Sequence, residues 1–496
     1  MKGCCEMVFS STVFLFLFLP FVLMIYFVIR KEFRNAFLFL ASSFFYWYGE
    51  QKMLLLMYFV ILLNYGISLL IGFIDEGKLL KSWQANKLRL ARKGLLLFCI
   101  AVCVGLLWYF KYWNFSIHIF NKLAALFGIS YKLSFVDKII FPLGISFYIF
   151  QVLSYLFDVY LKKIKPERNL LNFAVYVIMF PQLIAGPIIR YEDIKKQIIE
   201  RTVSWVGFAN GVRRFCFGLA KKILIANTVA KAVDKIFAVP IEQLDLLSAW
   251  IGAICYSLQL YFDFSGYSDM AIGIGAMFGF HYKENFNYPY MCKTVGEYWR
   301  RWHISLSTWL RDYIYFPMGG SRKGRKRLYF NLIVVFLVSG LWHGAKTTFA
   351  LWGLWFGVFI VLEAMWLKDF LKNKVIMSHI YALAVVIFSR VLFRSEGGRY
   401  AIEYWKSMIG MNGIDVVSAL SYLQNDIIIA MLVGIFFSID WRGKYKRFVL
   451  NNLGLNFHRS FFLFKFSSYV MALVLFFVSV CSIISSTYNP FIYFRF

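Results

Sequence analysis

Paired cysteines, metal-binding clusters and the short catalytic signatures of soluble enzymes are all missing from this chain. Its eight cysteines include the neighbours Cys4 and Cys5 and, one helical turn apart, Cys99 and Cys103. No C-x-x-C occurs and no histidine accompanies them at ligand spacing, which argues against a zinc site or a dithiol redox centre and leaves free core thiols. Gly319-Gly-Ser-Arg-Lys-Gly-Arg325 ends in arginine where a phosphate-binding loop needs Lys then Ser or Thr, and neither G-x-S-x-G nor H-E-x-x-H is present. Gly273, Gly275 and Gly279 miss the dinucleotide fingerprint and follow no βαβ pattern; Gly275-x-x-x-Gly279 fits close helix packing instead. Without a Pro- or Ser-rich linker or an internal repeat, residues 1–496 read as one integral domain. Acid is scarce too: 26 Asp and Glu stand against 54 Lys and Arg, a formal charge of +28. In a soluble protein that balance points to nucleic acid, but no base-stacking or helix-turn-helix pattern accompanies it, so no nucleic-acid partner is expected. The cations fall between apolar runs, at Lys78–Lys93, Lys162–Arg168, Arg190–Arg201, Arg322–Arg327 and Arg442–Arg447. Cytoplasmic loops beside anionic lipid have this pattern; an anionic ligand headgroup is the alternative.

What fills the chain is apolar. Hydrophobic residues make up 60% and aromatic residues 21%, against ~45–50% apolar in ordinary soluble domains. The runs Val8–Ile29, Met53–Phe73, Gly94–Phe110, Ile139–Tyr160, Tyr329–Leu341, Phe349–Trp366 and Tyr469–Ile484 approach the ~20 residues that span a bilayer. The first has only Lys2 before it and no clear cleavage site, so it reads as a retained helix. The expected fold is all-α and polytopic, with about 10–12 spans plus shorter re-entrant or interfacial helices.

Three segments depart from plain spans. Phe180-Pro-Gln-Leu-Ile-Ala-Gly-Pro187 makes a continuous helix costly. It fits either a re-entrant stretch lining a cavity, with Gln182 inside it, or a kinked span. Ser257–Asp269 concentrates polar groups in an apolar region. Asp263 and Asp269, six apart, point to different faces of one helix; one can cap a helix start and the other can partner a buried Arg or His. The third runs from Tyr298 to Gly344 and carries two histidines, His303 and His343, 40 residues apart. Trp299, Trp302, Leu306, Trp309, Tyr313 and Phe316 recur every three or four residues, the period of a helix lying in the membrane interface. Arg300, Ser307 and Arg311 fall on another face.

An imidazole at membrane depth needs a polar partner or a water-filled cavity and is therefore a candidate functional group. His343 follows Trp342 and is flanked by Gly340 and Gly344, which leave room for a ligand. Burial favours the neutral imidazole, which can take a proton from a hydroxyl attacking an acyl carbonyl. A core histidine bonded to a backbone carbonyl is the plainer alternative. His118, His281, His379 and His458 carry no local constellation. A transporter relaying protons through these histidines is a further alternative, but the two halves show none of the internal symmetry common in transporters.

Trp299-Arg-Arg-Trp-His-Ile-Ser-Leu-Ser-Thr-Trp-Leu-Arg-Asp-Tyr-Ile-Tyr-Phe-Pro-Met-Gly-Gly320 and Gly340-Leu-Trp-His-Gly344 resemble the membrane-bound O-acyltransferase family, most closely its bacterial alginate O-acetyltransferase branch. Pro142–Tyr148, Phe180–Pro187, Tyr261–Ala271, Glu284–Asn287 and Ser389–Arg394 agree with it. The similarity covers about residues 30–410 in order, leaving 411–496 as C-terminal helices of unassigned role. The resemblance implies a helical bundle around a central tunnel in the bacterial cytoplasmic membrane, among membrane lipid. It implies an acyl thioester donor such as acetyl-CoA from the cytoplasmic side, no bound cofactor or metal, and transfer towards an exported glycan. A partner outside the membrane would complete that transfer. It maps the family's functional histidines onto His343, as base, and His303, as support, with those two roles open to exchange. Trp342, Asp263, Ser265, Asp269, Trp302, Ser307, Arg311 and Gln182 are the expected tunnel residues. The neighbouring D-alanyl transferases of teichoic acid modification are the alternative branch. Ser305, Ser307 and Ser339 are the nearby hydroxyls if an acyl-enzyme forms.

Overall fold

The computed structural model describes residues 7–79, 84–136, 139–441, 457–486 and 488–490, with backbone alone for 457–464. Cys4, Cys5, Ser82 and the basic stretch 442–447 lie outside the described residues. Within them every regular element is helical. The chain divides into two compact units, Met1–Phe208 with Gly275–Tyr282, and Ala209–Ile274 with Lys283–Phe496.

In the first unit, α1 (Arg34–Glu50) packs on α5 (Leu170–Ile178), while α2 (Met53–Asp75), α3 (Ala85–Leu107) and α4 (Ile145–Tyr160) pack mutually. Cys99 and Cys103 share one face of α3, where the Cys99 thiol donates to Asn64 Oδ1 at 3.2 Å and Asn64 Nδ2 donates to Cys103 Sγ at 3.5 Å. They are buried, reduced core thiols. The segment around Gln182 is a single helical turn, Phe180–Leu183, followed by non-helical backbone, all of it buried. Pro181 sits in the first turn of that short helix, where its missing N–H is harmless.

The second unit carries most of α6 (Trp205–Ala220), α7 (Asn227–Ile236), most of the long α8 (Leu246–Met277), α9 (Val295–Arg301), α10 (Ile304–Leu310), α11 (Arg325–His343), α12 (Thr347–Leu362), α13 (Val375–Arg394), α14 (Asn425–Phe437) and α15 (Phe457–Ser485). Apolar burial drives little helix association in lipid, so small residues that let backbones meet do the specifying. A Cβ on Gly218 would lie 2.6 Å from the Gly266 carbonyl oxygen, and one on Gly273 would lie 2.7 Å from that of Gly211. These close approaches lock α6 against α8. The expected Gly275/Gly279 pair does other work: Gly275 faces the Tyr282 ring, and Gly279 takes φ +86° in the turn ending the helix, a left-handed position that suits glycine. On the α11–α12 hairpin, a Cβ at Gly340 would collide with the Phe349 carbonyl oxygen and one at Gly353 with that of Phe336.

Among the described residues five helices are long and apolar enough to cross a membrane: Met53–Asp75, Ala85–Leu126, Thr347–Leu371, Val375–Arg394 and Lys465–Ser485; three shorter apolar helices accompany them. This is fewer than the runs in the sequence lead one to expect. Helices walled in by protein need not be apolar throughout: α8 carries Gln259, Asp263 and Asp269, and α11 begins Arg325-Lys-Arg327.

Candidate active site

The site is built where a helix fails to continue. α9 starts under two caps: the Thr294 hydroxyl accepts from the Glu297 N–H at 3.0 Å, and the buried Glu363 carboxylate takes the N–H groups of Val295 and Gly296. It stops at Arg301, and α10 begins at Ile304. Between them His303 adopts φ 43°, ψ 55°, a left-handed conformation that is uncommon outside glycine. The expected interfacial helix is thus two short helices, and its aromatic stripe is core: Trp299, Trp302 and Trp309 are buried, although Phe316 is exposed. Periodicity alone does not register a reversal at one residue.

Asn285 holds the reversal in place. Its backbone oxygen accepts from Ile304 N at 2.9 Å, and its Oδ1 accepts from Ser305 N at 3.2 Å and Ser305 Oγ at 2.9 Å. A backbone N–H can only donate, so the atom facing it is the amide oxygen, and Nδ2 donates to Ser268 Oγ at 3.1 Å. His303 Nδ1 lies 3.2 Å from the same Oδ1 and must therefore carry the proton, which leaves Nε2 as the basic nitrogen. That Nε2 is fully buried with no hydrogen-bond partner among the described residues. Burial first, and the nearby His343 second, hold the His303 imidazole well below its usual range; it is neutral at neutral pH.

His343 closes α11. Its Nδ1 lies 2.7 Å from the Ser339 carbonyl oxygen one turn back. A carbonyl accepts only, so here too Nδ1 is the donor and Nε2 the basic nitrogen. Trp342 lies between the imidazoles, its ring centroid 5.9 Å from His303 and 5.0 Å from His343. Phe264 of α8 meets His303 edge-on at 4.7 Å, while Trp352 of α12 and Phe393 of α13 meet His343 at 4.9 and 5.5 Å. Ser339 Oγ and Trp352 Nε1 are buried there without partners among the described residues. Apolar walls around a few unsatisfied polar atoms are the kind of lining that ligand sites use.

The comparisons with known proteins bear on this geometry. Residues 88–393, which contain both histidines, match the membrane-bound O-acyltransferase (MBOAT) family. The chain belongs to the membrane-bound O-acyltransferase family. A probable alginate O-acetylase of Pseudomonas putida is 38% identical to it across 99% of this chain and all of that protein, so residues 411–496 also have a counterpart there. A peptidoglycan O-acetyltransferase of Helicobacter pylori is 33% identical over 83% of this chain and 81% of its own length. A teichoic acid D-alanyltransferase of Bacillus subtilis matches 49% of this chain at 27%. The chain is accordingly an acyltransferase and a multi-pass membrane protein, and the transporter reading falls away.

Within this O-acyltransferase the other expected residues divide. Asp245 caps α8 by accepting from Leu247 N and Ser248 N, so neither Asp263 nor Asp269 caps a helix. Both sit mid-helix with cation partners. Asp263 meets Lys222 at 2.7 Å with both side chains buried, and Asp269 meets Arg214 at 2.8 Å and Lys221 at 2.7 Å. A π-helical turn, Lys221–Ala226, follows α6 where these two consecutive lysines reach carboxylates six residues apart. Ser265 Oγ is buried without a partner among the described residues. Trp302 stacks on Tyr298 at 5.6 Å, and Ser307 Oγ donates to the Trp302 carbonyl at 3.3 Å. Arg311 pairs with its neighbour Asp312 and is half exposed. Gln182 belongs to the first unit, where its Nε2 donates to the Tyr176 carbonyl at 2.7 Å and its Oε1 has no partner among the described residues. Among the described residues no three His, Cys, Asp or Glu side chains gather at metal-binding range. Asn285 and Arg390 carry no local pattern that marks them from sequence alone. Their context is the signal: each stands in a stretch similar to the family, and Arg390 is an arginine inside the apolar run of α13.

Proposed function

We propose that this acyltransferase moves an acetyl group from a cytoplasmic thioester, acetyl-CoA or another acyl thioester, through the bacterial cytoplasmic membrane for O-acetylation of an exported polysaccharide or cell-wall glycan. The observation that carries the reading is the pair of buried imidazoles about Trp342, each with Nδ1 committed to a fixed acceptor and Nε2 as its basic nitrogen. In the reaction His343 Nε2 takes the proton of the acceptor hydroxyl as that oxygen bonds to the acyl carbon and an electron pair moves onto the carbonyl oxygen. When the pair returns, the carbon–sulfur bond breaks and the departing thiolate takes the proton from the imidazolium. His303 supports the bound thioester. The acceptor hydroxyl belongs to the glycan itself or to a protein outside the membrane that passes the acetyl group on to the glycan. The activities of the long-matching relatives favour acetyl over D-alanyl transfer, since the D-alanyltransferase match covers about half of this chain.

Replacing His343 by Ala at normal expression in the native cells tests this. Ester-linked acetate released from the envelope by mild alkali is expected to fall by the ~10²–10⁴-fold typical of a lost general base, with ester-linked D-alanine unchanged. Loss of D-alanine alone would promote the D-alanyl reading. No change in either, with folded protein in the membrane, would remove His343 from the mechanism.

A further inference from the structure

Arg390 of α13 is 1% exposed and lies inside an apolar span. Its guanidinium carbon sits 4.5 Å from the centre of the Trp302 ring and 5.7 Å from that of Tyr298. The guanidinium donates to the Tyr298 hydroxyl and also hydrogen-bonds the Tyr290 hydroxyl, with Tyr256 nearby, all three of them neutral phenols. The Tyr290 proton is already committed to the Ser257 carbonyl at 2.6 Å. Arg390 Nε is buried with no partner among the described residues, and no carboxylate among them pairs with this guanidinium. The contrast within the same unit is plain: Lys222 has Asp263, Lys221 has Asp269, and Arg214 has Asp269 and Glu284. A guanidinium cannot shed its proton, and an unpaired buried charge is strongly unfavourable.

We propose that Arg390 is an anion subsite of the acyl-transfer chamber, receiving a negatively charged oxygen at the reacting end of the bound substrates. This rests on the acyl-transfer reading of the histidine pair. The subsite's place follows from its neighbours. Trp302, against which Arg390 stacks, immediately precedes His303, and Phe393, one turn further along α13, packs on His343. The phosphates of a thioester carrier lie at the far end of its arm from the carbonyl and are the wrong anion for this position. Two sources remain: the carbonyl oxygen as it becomes negative during attack, or the acid group of an acidic sugar acceptor. A planar guanidinium fork suits either.

The test uses full-length protein in proteoliposomes with labelled acetyl-CoA and two acceptors, an oligouronate and a neutral oligosaccharide. Arg390→Met is expected to melt above the wild type without substrate, because an unpaired charge has been removed. Its kcat should fall by about 10²-fold or more, the scale of losing an oxyanion-stabilising donor, with KM for the thioester little changed and partial recovery in Arg390→Lys. Loss with both acceptors identifies the carbonyl oxygen, and loss with the oligouronate alone identifies the acceptor's acid group. Unchanged activity per folded molecule with both acceptors overturns the proposal. So does failure of both Arg390→Met and Arg390→Gln to fold, which would make Arg390 a structural cation. His303→Ala and His343→Ala in the same preparation separate the two failures. Inactive histidine variants beside an active Arg390→Met overturn Arg390 alone, whereas active histidine variants overturn the chamber on which it rests.

Discussion

A single amide group, that of Asn285, sets the tautomer of His303 and fixes the backbone reversal through Oδ1, and ties both to α8 by donating from Nδ2 to Ser268. Removing a partner that orients a metal-bound histidine typically costs about 10–100-fold, and by analogy Asn285→Ala should lower kcat by a similar factor. Asn285→Asp keeps the oxygen and adds a charge, and the two variants therefore differ in pH response. Burial keeps His303 neutral in the native protein, whereas a carboxylate beside it favours the imidazolium and raises its pKa. The acid limb of the rate profile should then move to higher pH, with activity at neutral pH recovering as pH rises. A profile of unchanged shape in Asn285→Asp would show that the amide does not govern His303. Stability follows the same chemistry. Unfolded histidine gains its proton near pH ~6.5 and buried His303 resists it, so this group's contribution is complete above that pH and is lost as pH falls below it.

At the scale of elements, the chemistry depends on where backbones touch. Gly340 stands one turn before His343, and a methyl there would meet the Phe349 carbonyl oxygen. Gly340→Ala should destabilise the protein by ~1–3 kcal/mol, the usual range for overpacking, and reduce activity beyond the loss of folded molecules because α11 can relieve the clash only by shifting His343. A melting midpoint in detergent matched to the wild type would count against this packing. The same scale shows what the sequence could disclose. Two histidines in an apolar, aromatic chain, one closing a long run, could be read directly. The break at His303 could not, because helical spacing of Trp299, Trp302 and Trp309 continues through it. Nor could the packing glycines: Gly266 and Gly273 mark a crossing only once Gly218 and Gly211 are known to face them. Asn285 contributes through contacts 18 to 20 residues away in sequence, beyond any local pattern.

For the whole molecule, charge placement yields an orientation. The exposed turn at Ser321 leads into Arg322–Arg327, and basic loops stay on the cytoplasmic side. A cysteine substituted at Ser321 should resist an impermeant thiol reagent in intact cells and react after permeabilisation; reaction in intact cells would invert the topology. The C-terminal stretch is tied into the second unit as well. Lys222 Nζ, besides its bond to Asp263, donates to the Pro490 carbonyl at 2.8 Å, Asn227 donates to Asn489 at 3.1 Å, and the Tyr488 hydroxyl donates to Asp234 at 2.6 Å. Residues 488–490 therefore add contacts to a buried ion pair and its surroundings, a structural duty for this part of the chain. The left-handed His303 has an evolutionary meaning too. At φ 43° the local backbone alone would favour glycine by roughly 1–2 kcal/mol, but emptying the space of a buried imidazole that bonds Asn285 and packs on Phe264 costs more than that, so selection for stability keeps a ring here against its own backbone preference.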